Sequence, residues 1–133
     1  MRIVDCSFAL KWCFEEEGSA EARAVLYDLA AEGILVPALW IYEICNALRS
    51  AIRRGHLTSD QAKVFLAELH ALRLEVAALA PSDFQRLLSL AVSAGLTAYD
   101  AAYLDLAMRT GHSLVTADAA LRSAAQRYGV TVC

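Results

Sequence analysis

The chain opens with Arg2-Ile3-Val4-Asp5, a short β-rich run that ends on an acid. Similar runs recur between longer helical patterns, at Ile34 to Val36, Leu74 to Ala77, Ser113 to Thr116 and Val130 to Val132. Strands that alternate with helices in this way form a parallel sheet covered by helices. The sequence therefore predicts an α/β fold with a central parallel sheet.

The chain of 133 residues suits one compact domain, residues 1–133, because it contains no linker or repeat that would divide it. Two long helices are expected in the middle, from Leu39 to Arg54 and from Thr58 to Leu72. The short turn around Gly55 between them predicts a helical hairpin. This hairpin is a candidate docking surface.

The composition limits the classes of function. Hydrophobic residues make up 58% of the chain, which suggests that a second chain covers part of the apolar surface. The longest apolar run, Ile34 to Tyr42, is far shorter than the roughly 20 residues that span a bilayer. The N-terminus lacks the apolar core of a secretory signal, so we expect a cytoplasmic protein. The net charge of -3 argues against a broadly basic surface but leaves room for a local RNA-binding patch.

The cysteines and histidines do not follow a metal-binding pattern. Four cysteines and three histidines are dispersed, without a C-x-x-C pair or zinc-type spacing. We interpret most of the cysteines as small buried hydrophobic residues. No role is assigned to Cys133 at the end of the chain.

Two acids follow predicted strands, Asp5 after the first and Asp118 after the run that ends at Thr116. A parallel sheet brings both to its carboxyl edge, where open α/β sheets bind ligands. The alternative is that each acid caps the helix that follows it. For Asp5 this alternative is weaker, because Ser7 is also available as a cap.

Two further acids lie on predicted helices. Glu43 is surrounded by apolar residues, and Asn46 lies three residues further on the same helical face. A partly buried carboxylate needs either a cation or a structural arginine partner. Asp100 lies near the start of a helix rich in alanine and leucine, where complementing the helix dipole is the alternative role. Asp105 is left out of the site, because Arg109 at i+4 can pair with it on a solvated face.

Convergence of Asp5, Glu43, Asp100 and Asp118 would require a cation to offset their mutual repulsion. Ligands that are all oxygen favour Mg²⁺ or Mn²⁺ over zinc or copper. Such a site is suited to phosphodiester hydrolysis, since the cation activates a water and offsets charge on the leaving oxygen. The sequence thus predicts one or two divalent cations at this edge of the sheet.

Four motifs in order resemble those of the PIN domains, and within them the VapC-type toxins of toxin–antitoxin pairs. They are Ile3-Val4-Asp5-Cys6-Ser7 with Ala9 to Trp12, Val36-Pro37 with Tyr42 to Leu48, Leu96 to Tyr103, and Leu114 to Asp118 with Leu121. The resemblance implies a three-layer α/β/α fold and Mg²⁺- or Mn²⁺-dependent RNA cleavage. It implies metal-site roles for Asp5, Glu43, Asp100 and Asp118, with hydroxyls of Ser7 and Thr116 nearby. A helix cap and a strand residue are the alternatives for Ser7 and Thr116.

The resemblance also implies partners, namely an RNA substrate, a second copy in a homodimer, and a VapB-type antitoxin that inserts an apolar segment near the site. Arg49 and Arg53, followed by Arg54 and His56, continue the Glu43 helix and are candidate contacts for RNA phosphates. A solvated basic helix end is the equally weighted alternative.

Two other classes of protein fit part of the pattern. A non-catalytic module with the same fold would act through a protein partner alone, although the presence of all four acids counts against it. A phosphatase or receiver-type domain also places acids at the sheet edge. Its usual second acid is absent here, because Ser7 stands two residues after Asp5.

Overall fold

A computed structural model describes residues 1–14 and 19–133. It contains four strands, β1 (Arg2–Val4), β2 (Ile34–Pro37), β3 (Leu74–Ala77) and β4 (Leu114–Val115). All pairings are parallel and the strand order is β3-β2-β1-β4. The predicted parallel sheet is confirmed, with β1 and β4 as neighbours.

Burial within the sheet shows that both of its faces are covered. Ile3 and Val4 follow each other in β1 and both are fully buried. Because successive side chains of a strand point to opposite faces, helices must lie on each side of the sheet. The predicted three-layer α/β/α arrangement is confirmed.

Within the described residues, seven α-helices connect and cover the strands. They are α1 (Cys6–Ala9), α2 (Ser19–Glu32), α3 (Leu39–Arg53), α4 (Ser59–Ala71), α5 (Phe84–Ala94), α6 (Ala98–Thr110) and α7 (Ala119–Arg127). Short 3-10 turns at Leu10–Trp12 and Pro81–Asp83 follow α1 and precede α5. Helix α6 contacts β1, β2 and β4, so residues of α6 lie close to the centre of the sheet.

The two long central helices occupy the predicted positions. Helix α3 ends at Arg53, and α4 begins after Thr58, whose hydroxyl accepts a hydrogen bond from the backbone of Gln61. The Gln61 side chain accepts one from the Thr58 backbone in return, which completes a capping box. A short turn that contains Gly55 joins the two helices at the predicted place.

Two expectations about the ends and the cysteines are corrected. The predicted strand from Val130 to Val132 is reduced to a single parallel bridge between Val132 and Leu114, since β4 offers only two residues for pairing. Cys6 is buried and Cys13 is half-buried, but Cys45 and Cys133 are exposed. Burial therefore explains only half of the cysteines.

Within residues 1–14 and 19–133, no single helix is long and apolar enough to cross a membrane. Helices α5 and α6 reach the necessary length and composition only when they are taken as a pair, and they are bent by 106°.

Candidate active site at the carboxyl edge of the sheet

The carboxyl ends of β1 and β4 bring the first two acids together. Asp5 directly follows β1, and Asp118 lies shortly after β4, which pairs with β1 in parallel. The backbone N–H of Asp5 donates to the carbonyl of Val115 at 3.1 Å, so the pairing continues to the edge of the sheet. Both acids therefore lie at the carboxyl edge of the sheet, as predicted.

The Asp5 carboxylate is buried and held by several donors. Its side chain accepts hydrogen bonds from the Ser7 hydroxyl at 2.9 Å, the Phe8 backbone at 3.0 Å and the Thr116 hydroxyl at 2.5 Å. Burial raises the pKa of Asp5, and these hydrogen bonds, led by that of Thr116, oppose the rise. The site therefore fixes the orientation of Asp5 while keeping its charge poorly solvated.

The hydroxyls of Thr116 and Ser7 connect the segments that follow β1 and β4. Each donates to Asp5, and each also accepts from a backbone N–H, Thr116 from Asp118 at 2.9 Å and Ser7 from Ala117 at 3.2 Å. Thr116 is buried, whereas Ser7 is exposed. Both hydroxyls lie beside the site, as the sequence suggested.

The capping alternatives for Asp5 and Asp118 are also realised. Asp118 caps α7 by accepting from the Leu121 backbone at 2.8 Å, and Asp5 caps α1 through Phe8. The expectation that Ser7 caps α1 is wrong, because its hydroxyl points back to Asp5. A cap uses one lone pair of a carboxylate, so capping and a role in the site are compatible for both acids.

Helices α3 and α6 supply the other two acids. Burial raises the pKa of Glu43, a hydrogen bond from the Tyr103 hydroxyl opposes this, and the charges of Asp100 and Asp5 add to the rise. Burial also raises the pKa of Asp100, followed by the charges of Asp118 and Asp5. These shifts indicate that the four acids share one electrostatic environment.

All four acids line one cavity of about 300 Å³. Its walls are formed by Asp5, Cys6, Ser7, Leu10, Glu43, Asp100, Tyr103 and Asp118. None of these residues is a lysine, an arginine or a histidine. The cavity thus concentrates negative charge without a basic side chain among its lining residues to neutralise it.

The donor set fits a hard divalent cation. Carboxylate and hydroxyl oxygens are the ligands that Mg²⁺ and Mn²⁺ prefer. In the part of the chain that the structure describes, no three of the acidic, cysteine or histidine side chains are already arranged as a ligand set. Mg²⁺ usually binds through one or two carboxylates and keeps several waters, so a loose cluster of acids is compatible with this ion.

The other predicted residues of the site lie outside the cavity. Asn46 is exposed on α3 and is not one of the lining residues. Arg49 and Arg53 are exposed further along the same helix, with Arg54 and His56 after them. The structure therefore does not bring Asn46 or these basic residues to the acids.

Asp105 does not line the cavity, and its predicted environment is wrong. It accepts from Arg109 at 2.9 Å as expected, and its side chain is only 4% exposed rather than solvated. Arg86 of α5 is a second partner at 2.9 Å. Burial alone would raise the pKa of Asp105, but the hydrogen bonds and charges of the two arginines lower it below its ordinary value.

Tyr103 is a residue of the site that the sequence analysis assigned no role. It is 1% exposed, and its hydroxyl donates to Glu43 Oε1 at 2.5 Å. Burial, with the hydrogen bond to Glu43, raises the pKa of Tyr103, so the phenol stays a neutral donor. The available signal was its spacing, because Tyr103 follows Asp100 by three residues and shares its helical face.

Comparison with known proteins assigns the chain to a family. The chain belongs to the PIN domain family, whose model matches residues 2–127. The resemblance to VapC-type PIN proteins seen in the sequence is confirmed. The match over nearly the whole chain also argues against the phosphatase or receiver-type alternative.

Three known proteins illustrate the similarity. Ribonuclease VapC3 of Pyrobaculum aerophilum is 34% identical over 120 residues, which cover 87% of this chain and 88% of that protein. The crystal structure of PAE2754 from the same organism superposes with a TM-score of 0.74 at 25% identity and covers 98% of this chain and 82% of that one. The structure of FitAcB from Neisseria gonorrhoeae gives 0.69 at 17% identity, covering 99% and 96%, and this likeness concerns the fold alone.

Proposed function

We propose that this protein is a Mg²⁺- or Mn²⁺-dependent endoribonuclease and the toxin of a toxin–antitoxin pair. The observation that carries the proposal is the cavity in which Asp5, Glu43, Asp100 and Asp118 meet without a basic residue. Membership of the PIN family and the identity to a ribonuclease support RNA as the substrate.

The acids of the cavity would have different roles in such a site. Asp5 is fixed by Ser7, Phe8 and Thr116, which makes it the best oriented of the four acids. Asp100 has no hydrogen bond or ion pair to its carboxylate within the described residues, so both of its oxygens are free to bind a cation or a water. The bound cation would supply Lewis-acid activation of a water and would offset charge on the phosphodiester.

The RNA backbone would be held outside the cavity. Arg49 and Arg53 are exposed on α3, the helix that carries Glu43. We propose that they contact phosphates that flank the cleaved bond. At that distance from the cavity, the arginines would leave the charges of the four acids in place. Loss of either arginine should weaken RNA binding and leave the affinity for the cation unchanged.

The test is the cleavage of total RNA by purified protein without its partner, with Mg²⁺ or Mn²⁺ and with EDTA. The variants are Asp5→Asn and, as a matched control, Asp28→Asn at an exposed position of α2. We expect discrete metal-dependent fragments from the wild type and Asp28→Asn but not from Asp5→Asn. The absence of cleavage, together with no thermal shift on adding either cation, would refute the nuclease and favour the non-catalytic module.

The proposed homodimer is supported by an unusual surface of α5. Phe84, Leu88 and Val92 follow each other at four-residue spacing and are 75%, 66% and 75% exposed. Such a stripe on one helical face is costly in water unless another chain covers it. Sedimentation of Leu88→Glu tests the proposal, with Val64→Glu on α4 as the control. A dimer that survives Leu88→Glu and dissociates in Val64→Glu would place the interface on α4 instead.

The antitoxin is the remaining proposed partner. We also propose that the protein is cytoplasmic, because a toxin that cleaves RNA acts in the cytoplasm. Tyr42 and Tyr99 adjoin Glu43 and Asp100 in sequence and are 78% and 68% exposed. Exposed aromatic residues next in sequence to two acids of the cavity suit a partner that inserts an apolar segment near it. Co-expression with the product of an adjacent short reading frame should abolish cleavage and protect these tyrosines from chemical modification.

A further inference from the structure

Glu43 is the acid of the cavity with the longest side chain, and within the described residues its carboxylate forms no hydrogen bond or ion pair with its own helix. It lies on α3, the only one of the four acids on this helix, and its long side chain must reach across to Asp5 and Asp100. The charges of Asp5 and Asp100 repel it. Without an opposing contact, the side chain would gain both solvation and entropy by turning away from the cavity.

Tyr103 provides that contact. Its ring is buried and cannot follow Glu43 outwards, and its hydroxyl reaches Glu43 Oε1 from the opposite helix, α6. Within the described residues Glu43 forms no ion pair, so this hydrogen bond is what ties its carboxylate to the cavity. A phenol holds the carboxylate and leaves its charge in place, whereas an arginine in the same position would neutralise that charge.

We propose that Tyr103 is a positioning residue that presents Glu43 to the divalent cation of the site. The phenol uses one lone pair of Oε1, and the remaining lone pairs of the Glu43 carboxylate would be available to the cation or one of its waters. The inference rests on the proposed metal-dependent function and assigns Tyr103 a part in it. Outer partners of this kind orient metal ligands, and their loss usually weakens metal binding by about 10- to 100-fold.

The chain offers a matched control for the loss of one phenolic hydroxyl. The Tyr128 hydroxyl hydrogen-bonds to Ser93 at 2.8 Å and lines no part of the acidic cavity. Tyr103→Phe and Tyr128→Phe therefore remove the same atom from two environments. If both hydroxyls were only structural, both variants would lose thermal stability and neither would change its affinity for a cation.

The experiment is titration of each metal-free protein with Mn²⁺ by calorimetry. We expect Tyr103→Phe to bind Mn²⁺ about tenfold or more weakly, whereas Tyr128→Phe binds as the wild type does. In a Glu43→Gln background, Tyr103→Phe should add little further loss, because Tyr103 acts through Glu43. A full additional loss there would overturn the proposal.

The outcomes separate this proposal from the function on which it rests. If the wild type binds Mn²⁺ and Tyr103→Phe binds it equally well, the role of Tyr103 is refuted and the nuclease stands. If the wild type binds no Mn²⁺, the metal-dependent function itself is refuted, and the role of Tyr103 with it. Should Tyr103→Phe fail to fold, a Mn²⁺-loaded crystal structure of the wild type in which Tyr103 and Glu43 are apart would overturn the proposal.

Discussion

Replacing Thr116 by valine removes one buried hydroxyl and keeps the branched shape of the side chain. Thr116 is 1% exposed and makes two hydrogen bonds, as the donor to the Asp5 carboxylate and as the acceptor for the Asp118 backbone. The loss of a hydrogen bond to a charged group costs about 1.5–3 kcal/mol, and a neutral one about 1 kcal/mol. The free energy of unfolding should therefore fall by about 3 kcal/mol.

This loss is large for a single domain, whose total stability is about 5–15 kcal/mol. At about 3 °C per kcal/mol for a chain of this size, Tm should fall by roughly 10 °C. The assay is urea and thermal unfolding of the metal-free protein in EDTA. Thr110→Val is the control, since that exposed hydroxyl also makes two hydrogen bonds, as the donor to the Leu106 carbonyl and as the acceptor for the His112 backbone, but neither partner is charged.

The pH dependence adds a second check. The Thr116 hydrogen bond lowers the pKa of Asp5, so its contribution to stability is present while Asp5 is charged and fades as the pH falls and Asp5 is protonated. The difference between wild type and Thr116→Val should shrink on acidification. Equal losses for Thr116→Val and Thr110→Val at neutral pH would refute the view that Thr116 supports the buried carboxylate.

Three further predictions concern the acids. The raised pKa of Asp100 means that its charge destabilises the fold, so Asp100→Asn should raise the Tm of the metal-free protein. The variant should also lose the increase in Tm that Mg²⁺ gives the wild type. A Tm below that of the wild type in EDTA would contradict this prediction. The pKa values of Asp5, Glu43 and Asp100 are all raised, so the metal-free protein should become more stable as the pH falls from neutral through these values. Saturating Mg²⁺ should remove that gain in parallel melts, because the cation takes the place of the protons. Asp105→Asn has the opposite sign, because the pKa of Asp105 is lowered. The variant should lose stability in urea unfolding at neutral pH, and this loss should disappear as the pH falls through the lowered pKa of Asp105; a loss independent of pH would count against the role of its charge.

The sequence was sufficient for the sheet and for the two acids at its edge. Short apolar runs between helical patterns require a parallel sheet, and the acids that end such runs must share one edge. For this reason the shared position of Asp5 and Asp118 could be predicted without knowing which other side chains contact them. Glu43 was found because an isolated carboxylate in an apolar helix face needs a counter-charge.

The remaining contacts depend on how helices pack, which the pattern of a single helix does not specify. The hydroxyl of Tyr103 meets Glu43 only because α3 and α6 both contribute side chains to the same cavity. Asp105 was expected in solvent because Arg109 alone explains it, but α5 covers it and adds Arg86. Asn46 shares a helical face with Glu43 and still lies outside the cavity. Spacing along a helix predicts which face a side chain lies on, but it does not predict which residue of another element the side chain contacts.

The hydrogen bond between Thr116 and Asp5 joins residues that are 111 positions apart. During synthesis, Asp5 leaves the ribosome long before Thr116 and Asp118 are made, since elongation adds about 5–20 residues per second. Until β4 has emerged and docked beside β1, the first acid has neither its strongest donor nor its companion across the sheet. A chain that ends before β4 therefore lacks both Thr116 and Asp118 and cannot form the complete site. The proposed nuclease activity would thus be absent from the nascent chain while the ribosome is still producing it.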